Sequence, residues 1–327
     1  MIHAEGLTKD FVSHKETVHA VRGIDLHVAR GETVAVLGPN GAGKTTTMRM
    51  LTTLTAPTAG TARVAGFDVE RDPAQVRRRL GYVGQGNGAG HGQRALDELY
   101  SQGVTFGLGR QESRTRAHEL MDGLDLGGKE RTKVSELSGG QRRRLDVAMG
   151  LMHAPELLVL DEPSTGLDPH NRANLWEHIG QLRRERAMTL LLTTHYLDEA
   201  DAMAERVVIV DHGEIIADDT PERLKTQHAG DRLTITAGGT EYAARLAELL
   251  SSWAGTGQVE VVGATVSAGV AAGTTRVAEL VRAADAHGIP LSDIQVRRPT
   301  LDDVFLTLTG RSLRETGTTD QPEEAAA

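Results

Sequence analysis

The chain has 327 residues, room for about two domains, and its 39% hydrophobic and 25% charged residues are ordinary for a globular protein. The absence of cysteine excludes disulfides, thiolate metal sites and cysteine nucleophiles. A formal net charge of −9 gives no support to a nucleic-acid binder, and no apolar run reaches the ~18 residues needed to cross a bilayer.

The first part of the chain predicts β-structure. Alternating apolar residues in 2–7 and 18–28 predict two strands, and the polar segment 13–17 between them predicts a hairpin loop. Val34 to Leu37 are apolar and β-prone, which predicts a short buried strand. From Lys44 onward no helix breaker occurs before Pro57, so we expect a helix there.

A glycine-rich turn joins that strand to that helix. Its spacing, Gly38-x4-Gly43-Lys44-Thr45, is that of a phosphate-binding loop, in which backbone N–H groups surround the β-phosphate. Lys44 is expected to reach the β- and γ-phosphates, and the Thr45 hydroxyl can ligate Mg²⁺. The segment therefore predicts a nucleoside triphosphate site. Its residues are Gly38, Pro39, Asn40, Gly41, Ala42, Gly43, Lys44, Thr45 and Thr46.

The middle of the chain predicts an inserted helical subdomain at about 86–153. It begins with a glycine-rich segment, 86–95, which we expect to be an irregular, mobile loop. Helical patterns follow at 95–104, 113–124 and 139–153. Further strands and helices alternate after this insertion, which implies a mostly parallel sheet with helices on both faces.

An acidic pair follows the apolar strand Leu157–Leu160. The Asp161 carboxylate is placed to hold Mg²⁺ through water, as in the second motif of nucleotide-hydrolysing proteins. Glu162 is placed to orient and activate a water for attack on the γ-phosphate. We therefore interpret Asp161 as a metal residue and Glu162 as the catalytic base.

The segment Leu137-Ser138-Gly139-Gly140-Gln141 is a second candidate phosphate-binding surface. A serine hydroxyl, two glycine N–H groups and a helix N-terminus lie together, without a lysine or a Mg²⁺ ligand. Taken alone, Ser-Gly-Gly is also compatible with a plain helix cap. A chain with one loop half-site and one helix-end half-site is suited to sharing nucleotide between two copies.

The last third of the chain carries no phosphate-loop chemistry. We predict a boundary after residue 227, a small α+β accessory domain at 228–311 and a disordered tail at 312–327, where polar residues dominate. The ATP-binding domain would then occupy residues 1–227.

With these motifs in hand, the sequence resembles the ATP-binding subunits of ABC transporters. The similarity rests on 38–46, Gln85, 137–141, 157–162, the segment Ser164-Thr-Gly-Leu-Asp168, and His195. Within that family, the segments Gln141-Arg-Arg-Arg-Leu-Asp-Val-Ala and Arg298-Pro-Thr-Leu-Asp-Asp-Val-Phe are similar to daunorubicin-resistance-type drug exporters.

The resemblance implies a role for several residues that the spacing alone does not assign. Gln85 would contact Mg²⁺ and couple the site to a membrane domain, which makes Thr45, Gln85 and Asp161 the metal set. His195 would contact the γ-phosphate and act with Glu162 and Lys44 in catalysis. Asp168 would lie in the loop that links two copies, and Phe11 is the best candidate to stack on adenine, although many such aromatic residues are simple core. The expected nucleotide-binding residues outside the phosphate loop are Phe11, Gln85, Ser138, Gly139, Gly140, Gln141 and Asp168.

The resemblance also implies the fold and the partners. We expect an α/β fold: a P-loop ABC-type ATPase core with a mostly parallel sheet, an antiparallel β subdomain and an inserted helical subdomain, plus the small C-terminal α+β domain. ATP and Mg²⁺ are the expected ligands, and a second copy and a separate permease are the expected partners, with no nucleic acid. The N-terminus lacks a signal-peptide pattern, so we expect a cytoplasmic protein held at the inner face of the membrane by its permease.

The predicted function is an ATPase that powers export of a drug, antibiotic or other hydrophobic small molecule. Export of a lipid or glycan, or a soluble ABC ATPase unrelated to transport, are the alternatives. The soluble class normally carries a long coiled-coil or zinc insertion or tandem ATPase halves, and this sequence has none of these.

Overall fold

A computed structural model of the chain describes residues 1–12, 17–86, 88–253, 256–270 and 273–310. Most of the predicted hairpin loop at 13–17 and the predicted tail at 312–327 lie outside these residues. The chain divides into two compact units, the first spanning Met1–Asp218 and the second beginning at Asp219.

The first unit carries the phosphate loop. Its elements in chain order are β1 (Ile2–Val12), β2 (Thr17–Val28), β3 (Thr33–Leu37), α1 (Lys44–Leu51), β4 (Ala59–Val64), β5 (Phe67–Asp68), α2 (Pro73–Arg77), β6 (Leu80–Val83), α3 (Ala95–Thr105), α4 (Arg110–Gly123), α5 (Gly139–Leu151), β7 (Leu157–Asp161), α6 (Pro169–Arg186), β8 (Thr189–Thr194), α7 (Leu197–Met203), β9 (Arg206–Asp211) and β10 (Glu214–Asp219), with a 3-10 turn at Val134–Glu136.

A six-stranded sheet in the order β10-β9-β3-β8-β7-β6 forms the centre of this unit. The pairs β3–β8, β3–β9, β7–β8 and β6–β7 are parallel. Every residue of β3, β7 and β8 is buried, which fits their nearly continuous apolar sequences. Because parallel strands end at one edge of a sheet, the residues that follow β3, β6, β7 and β8 are brought to the same edge.

An antiparallel sheet in the order β2-β1-β4-β5 accompanies it. The buried residues of this sheet share one apolar core with the central sheet and with α1. Ile2, Leu7, Val21 and Ile24 come from the antiparallel sheet, Val34 and Leu157 from the central sheet, and Met48 from α1. The predicted helical segment is present as α3, α4 and α5, which contact one another. The predicted α/β fold of this unit, with a mostly parallel sheet, an antiparallel β subdomain and an inserted helical segment, is therefore confirmed.

The second unit contains α8 (Pro221–His228), β11 (Asp231–Ala237), α9 (Thr240–Ser251), β12 (Thr256–Val262), β13 (Thr265–Val270), α10 (Gly273–Ala286), β14 (Leu291–Arg297) and α11 (Leu301–Thr309). Its sheet has the order β12-β13-β11-β14 with antiparallel pairs. From β11 to β14 this is a β-α-β-β-α-β arrangement of the ferredoxin-like type. Leu233, Ile235, Leu246 and Leu280 lie in its core.

The division between the units falls before α8 rather than after residue 227 as predicted. The physical reason is that α8 contacts α11, the last helix of the second unit. Leu224 of α8 and Leu301, Val304 and Phe305 of α11 are all buried. Residues 221–227, predicted as the end of the first domain, lie in a helix of the second unit.

Candidate nucleotide-binding and hydrolysis site

The phosphate loop joins β3 to α1 and depends on its glycines. Gly41 and Gly43 have φ angles of +79° and +100°, which disfavour L side chains. A Cβ on Gly43 would also lie 2.5 Å from the Ala20 carbonyl oxygen, and one on Gly38 would lie 2.2 Å from that of Val210. The loop can therefore adopt this shape only with glycine at these positions.

Lys44 lies inside this loop and is only 4% exposed. Its Nζ donates hydrogen bonds to the carbonyl oxygens of Gly38 at 2.8 Å and Pro39 at 3.0 Å. Burial lowers the pKa of Lys44, although the Glu162 and Asp161 carboxylates oppose this shift. The ammonium group is thus held within the loop, where the backbone N–H groups of such a motif face a phosphate.

One carboxylate oxygen of Asp161 accepts hydrogen bonds from two threonine hydroxyl groups. Its Oδ1 accepts hydrogen bonds from Thr193 Oγ1 at 2.7 Å and Thr45 Oγ1 at 3.1 Å. The Gln85 amide, two residues beyond β6, donates to Thr45 Oγ1 at 3.3 Å. The structure therefore brings together the three predicted metal residues, and their hydroxyl, carboxylate and amide oxygens are of the kind that Mg²⁺ prefers.

Glu162 lies between Lys44 and His195, and its side chain is 11% exposed. Its Oε1 is 3.8 Å from Lys44 Nζ, and its Oε2 is 3.4 Å from His195 Nδ1. Oε2 also accepts a hydrogen bond from Thr165 Oγ1 at 3.2 Å. The contact with His195 lowers the pKa of Glu162, against the effect of burial, and Lys44 adds to this lowering.

The Glu162 backbone is itself unusual, with a φ angle of +47°. Side chains other than glycine rarely adopt this left-handed region, and such strain often occurs at functional sites. The Glu162 N–H donates to Thr193 Oγ1 at 2.9 Å, which helps to hold this conformation. Thr193 of the neighbouring strand β8 thus contacts both acidic residues, the Asp161 carboxylate and the Glu162 backbone.

The signature segment 137–141 forms the start of α5. The Ser138 hydroxyl accepts a hydrogen bond from the Gln141 N–H at 3.3 Å, and the Gln141 side chain accepts one from the Ser138 N–H at 3.0 Å. This is a capping box, so the alternative of a helix cap is realised. Ser138 and Gly139 are exposed, so a cap does not exclude binding to another molecule.

Comparison with known proteins identifies the family of the chain. The sequence profile described as "ABC transporter" matches residues 21–165. The daunorubicin resistance ATP-binding protein DrrA2 of Streptomyces coeruleorubidus is 40% identical over 316 residues, 96% of this chain and 97% of that protein. DrrA3 of the same organism is 43% identical over 305 residues, 90% of this chain and 92% of that protein. The chain belongs to the family of ABC transporter ATP-binding proteins.

Solved structures support the same assignment. The dimeric structure of MJ0796, a bacterial ABC transporter cassette, covers 67% of this chain and 98% of its own length, with a TM-score of 0.62 and 25% identity. The predicted resemblance to daunorubicin-resistance-type ATP-binding proteins is confirmed. Proteins of this family bind and hydrolyse ATP. The assignment of ATP to the phosphate loop of this chain stays a prediction.

The arginine run after the signature has a role that the sequence did not reveal. A short basic run is usually a solvated face, but Arg143 and Arg144 are only 6% and 7% exposed. Arg143 donates hydrogen bonds to the carbonyl oxygens of Pro163 at 2.6 Å, Gly84 at 2.7 Å, and Asp161 and Glu162 at 3.3 Å each. The helix that begins with the signature is thereby bound to the acidic end of β7.

Asp146, on the same helix, holds the glycine-rich segment after Gln85. Its Oδ1 accepts hydrogen bonds from the N–H groups of Gly88 at 2.9 Å and Ala89 at 3.2 Å. An acidic residue in this position was not singled out from the sequence. The pattern gave no signal for it, because its partners are backbone groups distant in the chain.

Asp168 and Phe11, two further predicted residues, also lie at the surface. Asp168 caps α6 by accepting a hydrogen bond from the Asn171 N–H at 2.9 Å, and this contact lowers its pKa. Phe11 in β1 is 47% exposed, with Lys9 Nζ 5.4 Å from its ring centroid. Phe11 is therefore not a core residue, and its assignment to adenine, like that of Asp168 to a partner copy, stays a prediction.

Within the described residues, no helix of this ABC protein is long and apolar enough to span a bilayer.

Proposed function

We propose that this protein is the ATP-hydrolysing motor of an exporter, working as a dimer bound to a separate membrane permease at the inner face of the cell membrane. The observation that carries the proposal is the placement of Glu162 between Lys44 and His195. Three groups suited to acting on a γ-phosphate meet there, at the end of a strand whose last residue belongs to the predicted metal set.

In the proposed reaction, the attacking water loses a proton to Glu162 as its oxygen forms a bond to the γ-phosphorus. The bond between that phosphorus and the β,γ-bridging oxygen breaks, giving ADP and phosphate. Glu162 is ionised at neutral pH, as a glutamate with a pKa at or below its ordinary value must be, so its carboxylate has a free lone pair for the proton. Lys44 and His195 stabilise the charge that develops on the phosphate oxygens.

Thr45, Asp161 and Gln85 would hold Mg²⁺ in this site. The ion would neutralise charge on the β- and γ-phosphates. The support for this assignment is the oxygen-rich donor set that surrounds Asp161 Oδ1.

The exposed signature supports dimer formation. Ser138 and Gly139 lie at an uncovered helix N-terminus, where N–H groups and the helix dipole favour a phosphate. We infer that the signature of one copy contacts ATP held by the phosphate loop of the other. Phe11 would stack on adenine, and Asp168 would face the partner copy.

A groove beside Gln85 supports contact with a permease. It has a volume of about 370 Å³ and is lined by Tyr82, Gly84, Gly86 and Phe106, among other residues. Asp146 fixes the glycine-rich segment at this groove, so movement at Gln85 would reach a partner bound there. By analogy with the named relatives, daunorubicin-like drugs are the proposed cargo.

Glu162→Gln tests the catalytic assignment. We expect hydrolysis to fall by at least about 100-fold, the lower range for loss of a general base, while ATP binding is retained. Light scattering after size-exclusion chromatography should then detect an ATP-dependent dimer. Glu70→Gln, a change at an exposed glutamate, is the matched control and should behave as the unmodified protein.

Normal turnover in the Glu162→Gln variant would refute the base assignment, and a variant that binds ATP but stays monomeric would refute the shared site. The transport assignment is tested separately in the organism that carries the gene. There, the Glu162→Gln variant should raise cellular retention of daunorubicin, and unchanged retention would contradict that cargo.

A further inference from the structure

A second cavity lies at the opposite end of the central sheet from the ATP site. It has a volume of about 440 Å³ and lies where β7 and β8 begin, whereas the catalytic residues follow the ends of these strands. Three arginines line it, Arg30 from the β2–β3 turn, Arg116 from α4 and Arg186 from α6. Leu151 and Met188 provide apolar wall.

Arg116 has part of its hydrogen-bonding capacity satisfied by the protein. Its Nε donates to the Met152 carbonyl oxygen at 2.6 Å, and its Nη2 donates to that of Leu151 at 2.9 Å. These bonds end α5. Burial lowers the pKa of Arg116, and the positive charge of Arg186 lowers it further, whereas Glu119 and Glu112, which do not line the cavity, oppose the shift. Two guanidinium groups therefore repel one another across this cavity.

Arg186 differs from Arg116 in its hydrogen bonding. Its Nη1 is buried and has no hydrogen-bond partner among the described residues. Leaving a buried donor unpaired is costly, and an exception of this kind calls for an explanation. Arg183, on the same helix, differs because it donates to the Gly31 carbonyl oxygen at 2.6 Å and pairs with Glu205.

The one carboxylate among the cavity-lining residues does not neutralise this pair. Glu156 lines the cavity, but its Oε2 is 2.5 Å from Arg30 Nη1 and its Oε1 is 3.6 Å from Arg79 Nε. Glu156 is thus engaged on both sides by other arginines. The cavity retains an excess of positive charge facing a space large enough for a small ligand.

We propose that this cavity is a binding site for a phosphate group, held by Arg186 and Arg116 and distinct from the ATP site. Guanidinium groups pair with phosphate oxygens through charge-assisted, often bidentate hydrogen bonds. A phosphate there would supply the missing partner of Arg186 Nη1 and relieve the repulsion between the two arginines. It would also connect α4 of the helical segment to α6 of the core. Phosphate esters of free solution and acidic phospholipid headgroups share this chemistry.

The test measures binding of pyrophosphate to the full chain while saturating ADP occupies the phosphate loop. Equilibrium dialysis compares the unmodified protein with Arg186→Gln and Arg186→Lys. We expect Arg186→Gln to weaken binding by about tenfold, the effect of one charge-assisted hydrogen bond, and Arg186→Lys to restore part of it. Arg184→Gln, an exposed arginine two residues earlier on α6, is the matched control and should bind as the unmodified protein does.

Stability separates a binding role from a structural one. Because Arg186 lacks a partner and faces another positive charge, Arg186→Gln without ligand should not lower the free energy of unfolding. A loss of stability would mark Arg186 as structural and overturn the proposal. Equal pyrophosphate affinity in Arg186→Gln, an equal loss in Arg184→Gln, or no binding to the unmodified protein at millimolar pyrophosphate would also overturn it.

Vesicles distinguish the source of the phosphate once pyrophosphate binding depends on Arg186. Flotation with phosphatidylcholine vesicles is compared with flotation with vesicles that also contain phosphatidylglycerol. Arg186-dependent binding to the acidic vesicles supports the site with a lipid headgroup as its ligand. Failure of both vesicle types to bind supports the site with a soluble phosphate as its ligand.

Discussion

The phosphate-loop half of the proposed ATP site and its proposed signature half differ in how many of their contacts lie within the chain itself. Lys44 and Asp161 are buried, and their polar atoms are bonded to neighbouring strands and to the loop. Ser138 and Gly139, by contrast, are exposed, and the bonds of Ser138 stay within the capping box. The first half is organised by contacts with its own sheet, whereas the second is exposed at the start of α5. This difference favours a site completed by two copies.

The two halves are nevertheless joined within one chain by Arg143. This residue lies on the helix that starts at the signature and binds carbonyl oxygens at the end of β7. Buried hydrogen bonds from the Arg143 guanidinium to backbone carbonyl oxygens therefore connect the signature helix to the segment that carries Glu162. Rigid connection of this kind suits a site whose other half lies on a second molecule.

Lys44→Ala should produce the largest effect on binding. The variant removes a buried ammonium group from the phosphate loop, and loss of charge-assisted hydrogen bonds predicts about a 100-fold weaker affinity for ATP. Fluorescent-nucleotide titration measures it, with the exposed Lys133→Ala as control. Unchanged affinity in Lys44→Ala would contradict the assignment of the loop half.

Ser138→Ala should affect dimer formation without affecting binding to one copy. In the Glu162→Gln background, ATP affinity of the monomer should stay the same while the ATP-dependent dimer weakens by about tenfold, as expected for one hydrogen bond to a charged group. Light scattering measures the dimer.

Ser138→Ala also removes the cap of α5, which should lower the free energy of unfolding by about 1 kcal/mol. Thr300→Ala removes an equivalent capping box in the second unit and is the matched control. If Thr300→Ala weakens the dimer as much as Ser138→Ala does, the signature surface has no special part in it.

Local sequence patterns predict the positions of residues that lie directly at the ends of strands. Gly38 to Thr46 and Glu162 directly follow buried apolar strands and Asp161 ends one, so the sequence alone predicts their position at one sheet edge. Arg143 and Asp146 could not be found in this way, because their partners are backbone carbonyl and N–H groups brought near by the tertiary fold.

The domain boundary illustrates the same limit. Residues 221–227 carry a helix-forming pattern, but nothing local states which core the helix joins. Burial of Leu224 and contact with α11 decide it. Arg186 is similar, since an arginine in the last turn of a helix is locally favourable whatever it faces.

The smallest expected effect is the pH dependence that ionisation of Glu162 gives to the free energy of unfolding of the first unit. Its pKa in the folded chain lies below the ordinary value of 4.5, chiefly through His195 and with a further contribution from Lys44. Ionised Glu162 therefore stabilises the native state above pH 4.5, and this contribution is lost as the pH falls through the lower, folded-state pKa. The difference in unfolding free energy between the unmodified chain and Glu162→Gln should accordingly shrink below pH 4.5.

Urea unfolding in a Trp253→Phe background measures this difference, because Trp176 then remains as the only tryptophan and reports on the first unit. Repeating the pair with His195→Asn provides the control. Removal of the His195 contact should bring the folded-state pKa of Glu162 closer to its ordinary value, so the pH-dependent part of the difference should become smaller. A difference that grows as the pH falls, or one that His195→Asn leaves unchanged, would mean that the Glu162–His195 contact does not organise this half of the site.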